Sequence, residues 1–225
     1  MFLAVQLFVD ALRDAPRNTY KGIECVDILQ RKLESREPLY AASKLSTIPT
    51  DVVIPPAFFT MKDFSDDELK KVDHLLGLMV GREVVVKLLS FFYCSNINSP
   101  SIVSLFRFIP HSEEVSFYCT RPSERTMLAV ARCMREEKRT YKLKEIDFSD
   151  CHLSDAHPLS ILSHLVHIEE VDLSCNSDIT MKTYKSLVDV VKKSRELKMK
   201  KLRVKWELKD SVERMFAEYP NITIC

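Results

Sequence analysis

Glycine is almost missing from this chain. There are three in 225 residues, Gly22, Gly77 and Gly81. Loops that cradle phosphate need several glycines at fixed spacing, and neither G-x-x-x-x-G-K-[ST] nor G-x-G-x-x-G can be found. Nucleotide binding by either device is excluded. Surplus charge is missing too. The 33 Lys and Arg nearly cancel the 32 Asp and Glu, leaving +1, which points to no acidic partner at the level of the whole chain. No apolar run reaches the roughly 18 residues of a membrane span. The apolar start Met1–Val9 lacks a basic flank and is followed closely by Asp10, which argues against a secretory signal. Seven cysteines occur, an odd number, and none forms C-x-x-C. They read as reduced structural thiols, which predicts a cytoplasmic protein. Asn221-Ile222-Thr223 is a formal glycosylation sequon that would be unused there.

What the chain does have is a repeated phrase. It reads Leu143-x-x-Ile146-x-Phe148-x-x-Cys151-x-Leu153, then Ile168-x-x-Val171-x-Leu173-x-x-Asn176-x-x-Ile179. This is the leucine-rich-repeat phrase, with Asn or Cys at its polar position; Cys94 falls at the same place. Central apolar pairs recur at Leu89/Phe91, Val115/Phe117, Ile146/Phe148, Val171/Leu173 and Leu202/Val204, with a weak last pair at Ile222/Ile224. The steps 89 to 115, 115 to 146, 146 to 171 and 171 to 202 are 26, 31, 25 and 31 residues. Long and short alternate, so every second strand returns after 56 or 57. Each step has room for a strand, a turn, a helix and a return loop. The predicted fold class is therefore α/β: a solenoid with parallel strands inside and helices outside, spanning residues 81–225.

Helices are expected at Thr126–Arg135 and Met181–Lys193, where apolar residues recur on one face. Asp210 to Tyr219 reads as another, with Asp210 as its cap and Glu213 three residues on. Pro158 suits the first turn of a helix capped by Ser154 or Asp155. Residues 1–80 lack the repeat and read as a short helical region. Met1–Arg13 and Ile23–Lys32 are helix candidates, and 33–63 is a proline-rich, irregular stretch. Ser65 is expected to cap a helix running toward Met79, with acidic residues in its first turn. An apolar helix at the start and an apolar strand at the end suggest a piece of a larger protein.

The double period and the Cys at the polar position resemble the ribonuclease-inhibitor-like subclass of leucine-rich repeats, over about residues 84–225. Phe2-Leu-Ala-Val-Gln-Leu-Phe-Val9 and His74-Leu-Leu-Gly-Leu-Met79 resemble segments just upstream of the repeats in animal NOD-like receptors. The resemblance implies a non-enzymatic repeat region of an innate immune receptor, holding a ligand or the receptor's own upstream domains. The ATPase module of such receptors has no counterpart here.

If strands alternate in and out, two rows point away from the core. One holds Ser90, Ser116, Asp147, Asp172 and Arg203. The other holds Phe92, Tyr118, Ser149, Ser174 and Lys205. These ten are the predicted protein-binding residues, graded from aromatic through acidic to basic, and aromatics with arginine are common interface anchors. A basic stretch at 192–209, with Trp206 inside it, keeps open a second reading as a nucleic-acid or anionic-membrane binder. A free-standing adaptor or inhibitor is a third. Nucleic acid and membrane are nevertheless not the expected partners, since no RNA-binding signature accompanies the run. His152, His157, His164 and His167 cluster in sequence but read as surface histidines, so no metal is expected. Cys119 and Cys133 have no activating neighbours in sequence, and no catalytic residue or cofactor is expected.

Overall fold

A computed structural model describes residues 17–20, 23–27, 57–61, 64–83, 86–136, 142–159 and 161–225. The expected helix Met1–Arg13, the resemblance segment Phe2–Val9 and most of the proline-rich stretch lie outside these residues.

Among the described residues, nine strands form one sheet in chain order. They are β1 Arg17–Tyr20, β2 Ile23–Asp27, β3 Ala57–Thr60, β4 Val86–Ser90, β5 Ser112–Ser116, β6 Glu145–Asp147, β7 Glu170–Asp172, β8 Lys201–Arg203 and β9 Thr223–Ile224. β1 and β2 are antiparallel, and every later pairing is parallel. Parallel neighbours need a crossover, and helices supply it from β3 onward. The chain is thus an α/β protein built on one open, mainly parallel sheet.

Leu89, Val115, Ile146, Val171 and Leu202 stand opposite one another across β4 to β8. That is the register the apolar pairs predict. These side chains, with Phe91, Phe117, Phe148, Leu173 and Val204, are buried in a single core shared with the helices. Phe91, Phe117 and Phe148 stack face to face, with centroids 5.1 and 4.9 Å apart, and Phe106 packs edge-on against the first two. One backbone hydrogen bond repeats just past each strand from β3 to β8. The N–H groups of Met61, Phe91, Phe117, Phe148, Leu173 and Val204 donate to Ser90, Ser116, Asp147, Asp172, Arg203 and Cys225, at 2.7–3.0 Å.

The helices alternate as the strand steps do. Long ones follow β3, β5 and β7: α1 Asp66–Gly81, α2 Glu124–Glu136 and α3 Met181–Lys193. After β4, β6 and β8 come short or broken ones. These are α4 Pro100–Leu105 running into a 3₁₀ turn Phe106–His111, the pair α5 Ala156–Leu159 and α6 Leu162–Leu165, and a 3₁₀ turn Trp206–Leu208 running into α7 Lys209–Met215. The double period is therefore a physical alternation of two kinds of unit.

Polar contacts repeat with the same spacing. Asn98 Oδ1 accepts from the Ser123 N–H and Thr126 Oγ1, at 2.7 and 2.6 Å, at the start of α2. Fifty-seven residues on, the Asp155 carboxylate accepts from the Thr180 N–H, Thr180 Oγ1 and Thr183 Oγ1, at 2.7–2.8 Å, at the start of α3. Each satisfies N-terminal groups that a helix cannot bond internally. α1 begins with the Ser65 cap its sequence predicts, Ser65 Oγ accepting from the Glu68 N–H, and the Glu68 carboxylate makes it reciprocal by accepting from the Ser65 N–H.

Four expectations need correction. Ile23–Asp27 is a strand, not the start of a helix; pairing with both β1 and β3 decides its state. The sheet also reaches into the stretch expected to lack strands, since β3 pairs with β4, Phe59 opposite Leu89. The last strand is offset: Leu202 faces Ile224, not Ile222. At the last helix start, α7 begins at Lys209 with no side-chain cap, so Asp210 is inside it.

Candidate protein-binding face

Strand alternation leaves one face of the sheet turned away from the core. The first predicted row lies on it in register, Ser90, Ser116, Asp147, Asp172 and Arg203 standing opposite one another, while the second row follows just past the strand ends. A third outward row, not foreseen from the sequence, runs Leu88, Glu114, Glu145, Glu170 and Lys201. It was readable in the same alternation, two residues before the first row, but apart from Leu88 it is charged and carries no aromatic marker.

Much of the first predicted row serves the fold. Ser90 and Ser116 Oγ accept from the N–H groups of Phe92 and Tyr118, both at 3.3 Å. Asp147 Oδ1 accepts from the Ser149 N–H and Oγ at 2.8 and 2.6 Å, and Asp172 Oδ1 likewise from Ser174 at 2.9 and 2.6 Å. The other Asp147 oxygen accepts from Ser116 Oγ at 3.1 Å. A side chain at this position thus ties down the N–H two residues on in four successive units. Ser90, Ser149 and Asp172 are buried. Burial pushes the Asp147 carboxyl above the usual range, with Asp172 adding to it, against the lowering effect of its Ser149 and Ser116 bonds.

The basic end is ordered by ion pairs. Arg203 reaches Asp172 at 3.4 Å, Glu170 at 3.5 Å and Glu145 at 3.6 Å, and Lys201 reaches Glu170 at 3.1 Å. Burial disfavours the Arg203 charge, but Asp172, Glu145 and Glu170 outweigh it and raise its pKa. Lys205 Nζ donates to the Ser177 carbonyl at 3.1 Å. Of the predicted basic stretch, Lys200 also pairs with Glu169 at 2.8 Å, and Lys209 with Glu213 at 3.8 Å. Lys192, Lys193, Arg195 and Lys198 are exposed. Trp206 is 80% exposed, with the Lys209 ammonium 6.0 Å from its ring centre.

The aromatic end is a cluster. Phe92 and Tyr118 stack with centroids 5.3 Å apart and planes 12° from parallel. Tyr93 stands edge-on to both, at 4.3 and 6.2 Å, and is 49% exposed. Sequence reasoning passed over Tyr93 because strand alternation assigns it inward. It lies past the strand, in a turn with φ 50°. The same left-handed turn recurs at Cys119 (54°), Asp150 (52°) and Cys175 (56°), always two residues after the second core residue. With glycine scarce, ordinary residues occupy this region at a cost of roughly 1–3 kcal/mol each. Backbone bonds from Tyr93, Cys119 and Asp150 to Tyr118, Ser149 and Ser174, at 3.2–3.3 Å, hold them there. The Cys119 thiol donates to Asp150 at 2.9 Å. Hydrogen bonding to Cys119 raises both tyrosine pKa values, and Asp150 adds its charge.

Below these turns is a buried polar row: Cys94, Thr120, Cys151 and Asn176. Cys94, Cys151 and Asn176 donate to the carbonyls of Met61, Phe117 and Phe148, one unit back, at 3.4, 2.9 and 2.9 Å. Thr120 bonds within its own unit, to Phe117 at 2.6 Å. Burial pushes the Cys151 thiol up to about 12, so it stays protonated. Cys94, Cys119, Cys133, Cys151, Cys175 and Cys225 are free thiols.

Among the described residues no group of histidine, cysteine and carboxylate residues is arranged to hold a metal, and no helix is long and apolar enough to cross a membrane. His152 approaches Arg121 at 3.4 Å. His157 accepts from the Ser154 N–H at 3.1 Å, and His167 contacts the Glu196 carbonyl at 2.9 Å. His152, His157 and His167 thus have separate partners. Comparison with models of known protein families and with curated proteins finds no match.

Proposed function

We propose that this chain is a leucine-rich-repeat solenoid of the ribonuclease-inhibitor-like kind, and that it works as a non-enzymatic protein-binding scaffold. The observation that carries the reading is the alternation of two unit types with matching polar contacts. The buried Cys94, Thr120, Cys151 and Asn176 row occupies the phrase's polar position, and Asn98 and Asp155 repeat 57 residues apart in identical roles. A solenoid of this kind offers an extended concave surface. The anchors on that surface are Phe92 and Tyr118, joined by Tyr93, with Arg203 and Lys205 at the far end.

In the receptor form of this proposal the face is the sensing or autoinhibitory end of a NOD-like receptor in the cytoplasm. It holds a ligand, or upstream domains of the same longer protein. The bound state shifts a closed and open equilibrium by no more than the difference in its affinity for the two. A free-standing adaptor uses the same face without that coupling. The anionic-partner reading is weakened because Lys200, Lys201, Arg203 and Lys209 pair with carboxylates of the chain itself.

Capture of a partner by the immobilised chain tests the reading. Phe92→Ala with Tyr118→Ala should abolish capture, and Lys185→Glu on the exposed side of α3 should leave it intact. Loss with Lys185→Glu alone, or capture that collapses with added salt in every variant, overturns it. Sequencing the transcript upstream separates the two forms: an in-frame phosphate-loop domain supports the receptor, and a stop codon the adaptor.

A further inference from the structure

The two ends of the outward face are chemically unequal. Across β5, β6 and β7 its rows carry five carboxylates, Glu114, Glu145, Asp147, Glu170 and Asp172, and no base. Bases enter only from β8, and they are committed there: Arg203 spans Glu145, Glu170 and Asp172, and Lys201 takes Glu170. At the opposite end no Lys or Arg of β4 or β5 stands in the outward rows. Phe92, Tyr93 and Tyr118 stand there instead, beside Asp150.

We propose that this aromatic and acidic corner seats an arginine or lysine side chain from an extended segment of the protein partner. The inference rests on the protein-binding reading above and names the chemistry of its ligand. Aromatic faces attract cations through the ring quadrupole, and the stacked pair with the edge-on Tyr93 gives one exposed and two half-exposed rings in a small area. Asp150, reached through the Cys119 thiol, places a carboxylate beside them. Phe92 and Tyr118 fill each other's inner faces, so the corner offers ring surface to a flat or compact cation. An acidic segment is disfavoured by the Asp150 carboxylate at the corner itself. The site is also preformed. Tyr93, Cys119 and Asp150 share one turn geometry, each fixed by a backbone bond to the next unit, so little ordering opposes binding.

The test uses the full chain and an array of 12-residue peptides whose net charge runs from strongly acidic to strongly basic. Retention should rise with arginine and lysine content. For the best basic peptide, Tyr93→Ala should weaken binding about tenfold. Asp150→Asn should weaken it about threefold and flatten its salt dependence. Asn tolerates a left-handed turn, so this second variant keeps its fold. Retention of acidic or neutral peptides with the same Tyr93 dependence overturns the cation assignment and leaves the protein-binding reading standing. Retention of basic peptides that neither substitution alters also overturns the corner as their site. Failure to retain any peptide overturns the corner, while the partner capture above decides separately whether the face binds protein.

Discussion

Asn176 should be the most costly polar side chain to remove from this protein. The two hydrogens of its amide nitrogen are shared among the carbonyls of Phe148, Leu173 and Ser174, at 2.9, 3.0 and 3.0 Å. Its oxygen accepts from the N–H groups of Cys151 and Leu153, both at 3.0 Å. Asn176 itself is fully shut off from solvent, as are Cys151 and Leu153. Asn176→Ala strands two buried N–H groups, at roughly 1–3 kcal/mol each, and removes a donor from three carbonyls. A water entering the vacated space recovers part of that. The expected loss is about 3–5 kcal/mol, in the upper tail for single substitutions. Cys151 occupies the same turn position one unit earlier, but its closest bond is a thiol to Phe117. Cys151→Ala should therefore cost only about 1–2 kcal/mol. Urea denaturation followed by circular dichroism reads both, provided the slope with denaturant is unchanged. A loss below about 1 kcal/mol for Asn176→Ala, or equal losses at the two positions, would refute the view that this row pins the units together.

Other substitutions probe other levels of the argument. Ile146→Ala and Leu173→Ala, both fully buried, should each cost roughly 2–5 kcal/mol in the same assay; an unchanged midpoint would contradict the register. Cys175 is exposed and left-handed, so Cys175→Gly should stabilise by about 1 kcal/mol, read as a raised melting temperature; a destabilised variant would mean the turn is not strained. Burial pushes the Asp155 carboxyl up, but hydrogen bonds from Thr183 and Thr180 outweigh it and leave its pKa lowered. Its folded value thus lies below the unfolded value of about 3.9. Its contribution is present above that value and is lost as pH falls through the folded value. Asp155→Ala should be less stable than the parent chain by about 1 kcal/mol at neutral pH. The gap should close in acid, and a gap that widens there would overturn the linkage.

The parts of this fold that were legible in the sequence are those governed by local periodicity. Val115, Ile146, Val171 and Leu202 declare the strands because burial on one face fixes every second residue, and a one-residue slip would expose them all. α3 was readable to its ends because its apolar residues keep a helical period and Thr180 caps it. What escaped depends on partners distant in sequence. Ile23–Asp27 has apolar residues spaced for either state, and only its neighbours in the sheet make it a strand. Ala57–Thr60 was hidden by Pro55 and Pro56, which made the stretch look irregular. Tyr93 was lost because alternation stops at the strand's end, where a left-handed turn re-aims the side chain. The two roles of Asp147 and Asp172, facing outward yet consumed by Ser149 and Ser174, follow from a turn that spacing alone does not announce. Asp210 looked like a cap because Glu213 follows it, but α7 grows out of a 3₁₀ turn and has already begun at Lys209.

The central claim is that a protein partner lies along the outward face of the sheet. Site-specific photocrosslinking tests it most directly. A benzophenone side chain at Phe92, and separately at Lys185 on α3, is irradiated with the captured partner bound, and the adducts are counted. The account predicts an adduct from position 92 and none from position 185. An adduct from position 185 alone would place the partner on the helices and contradict it.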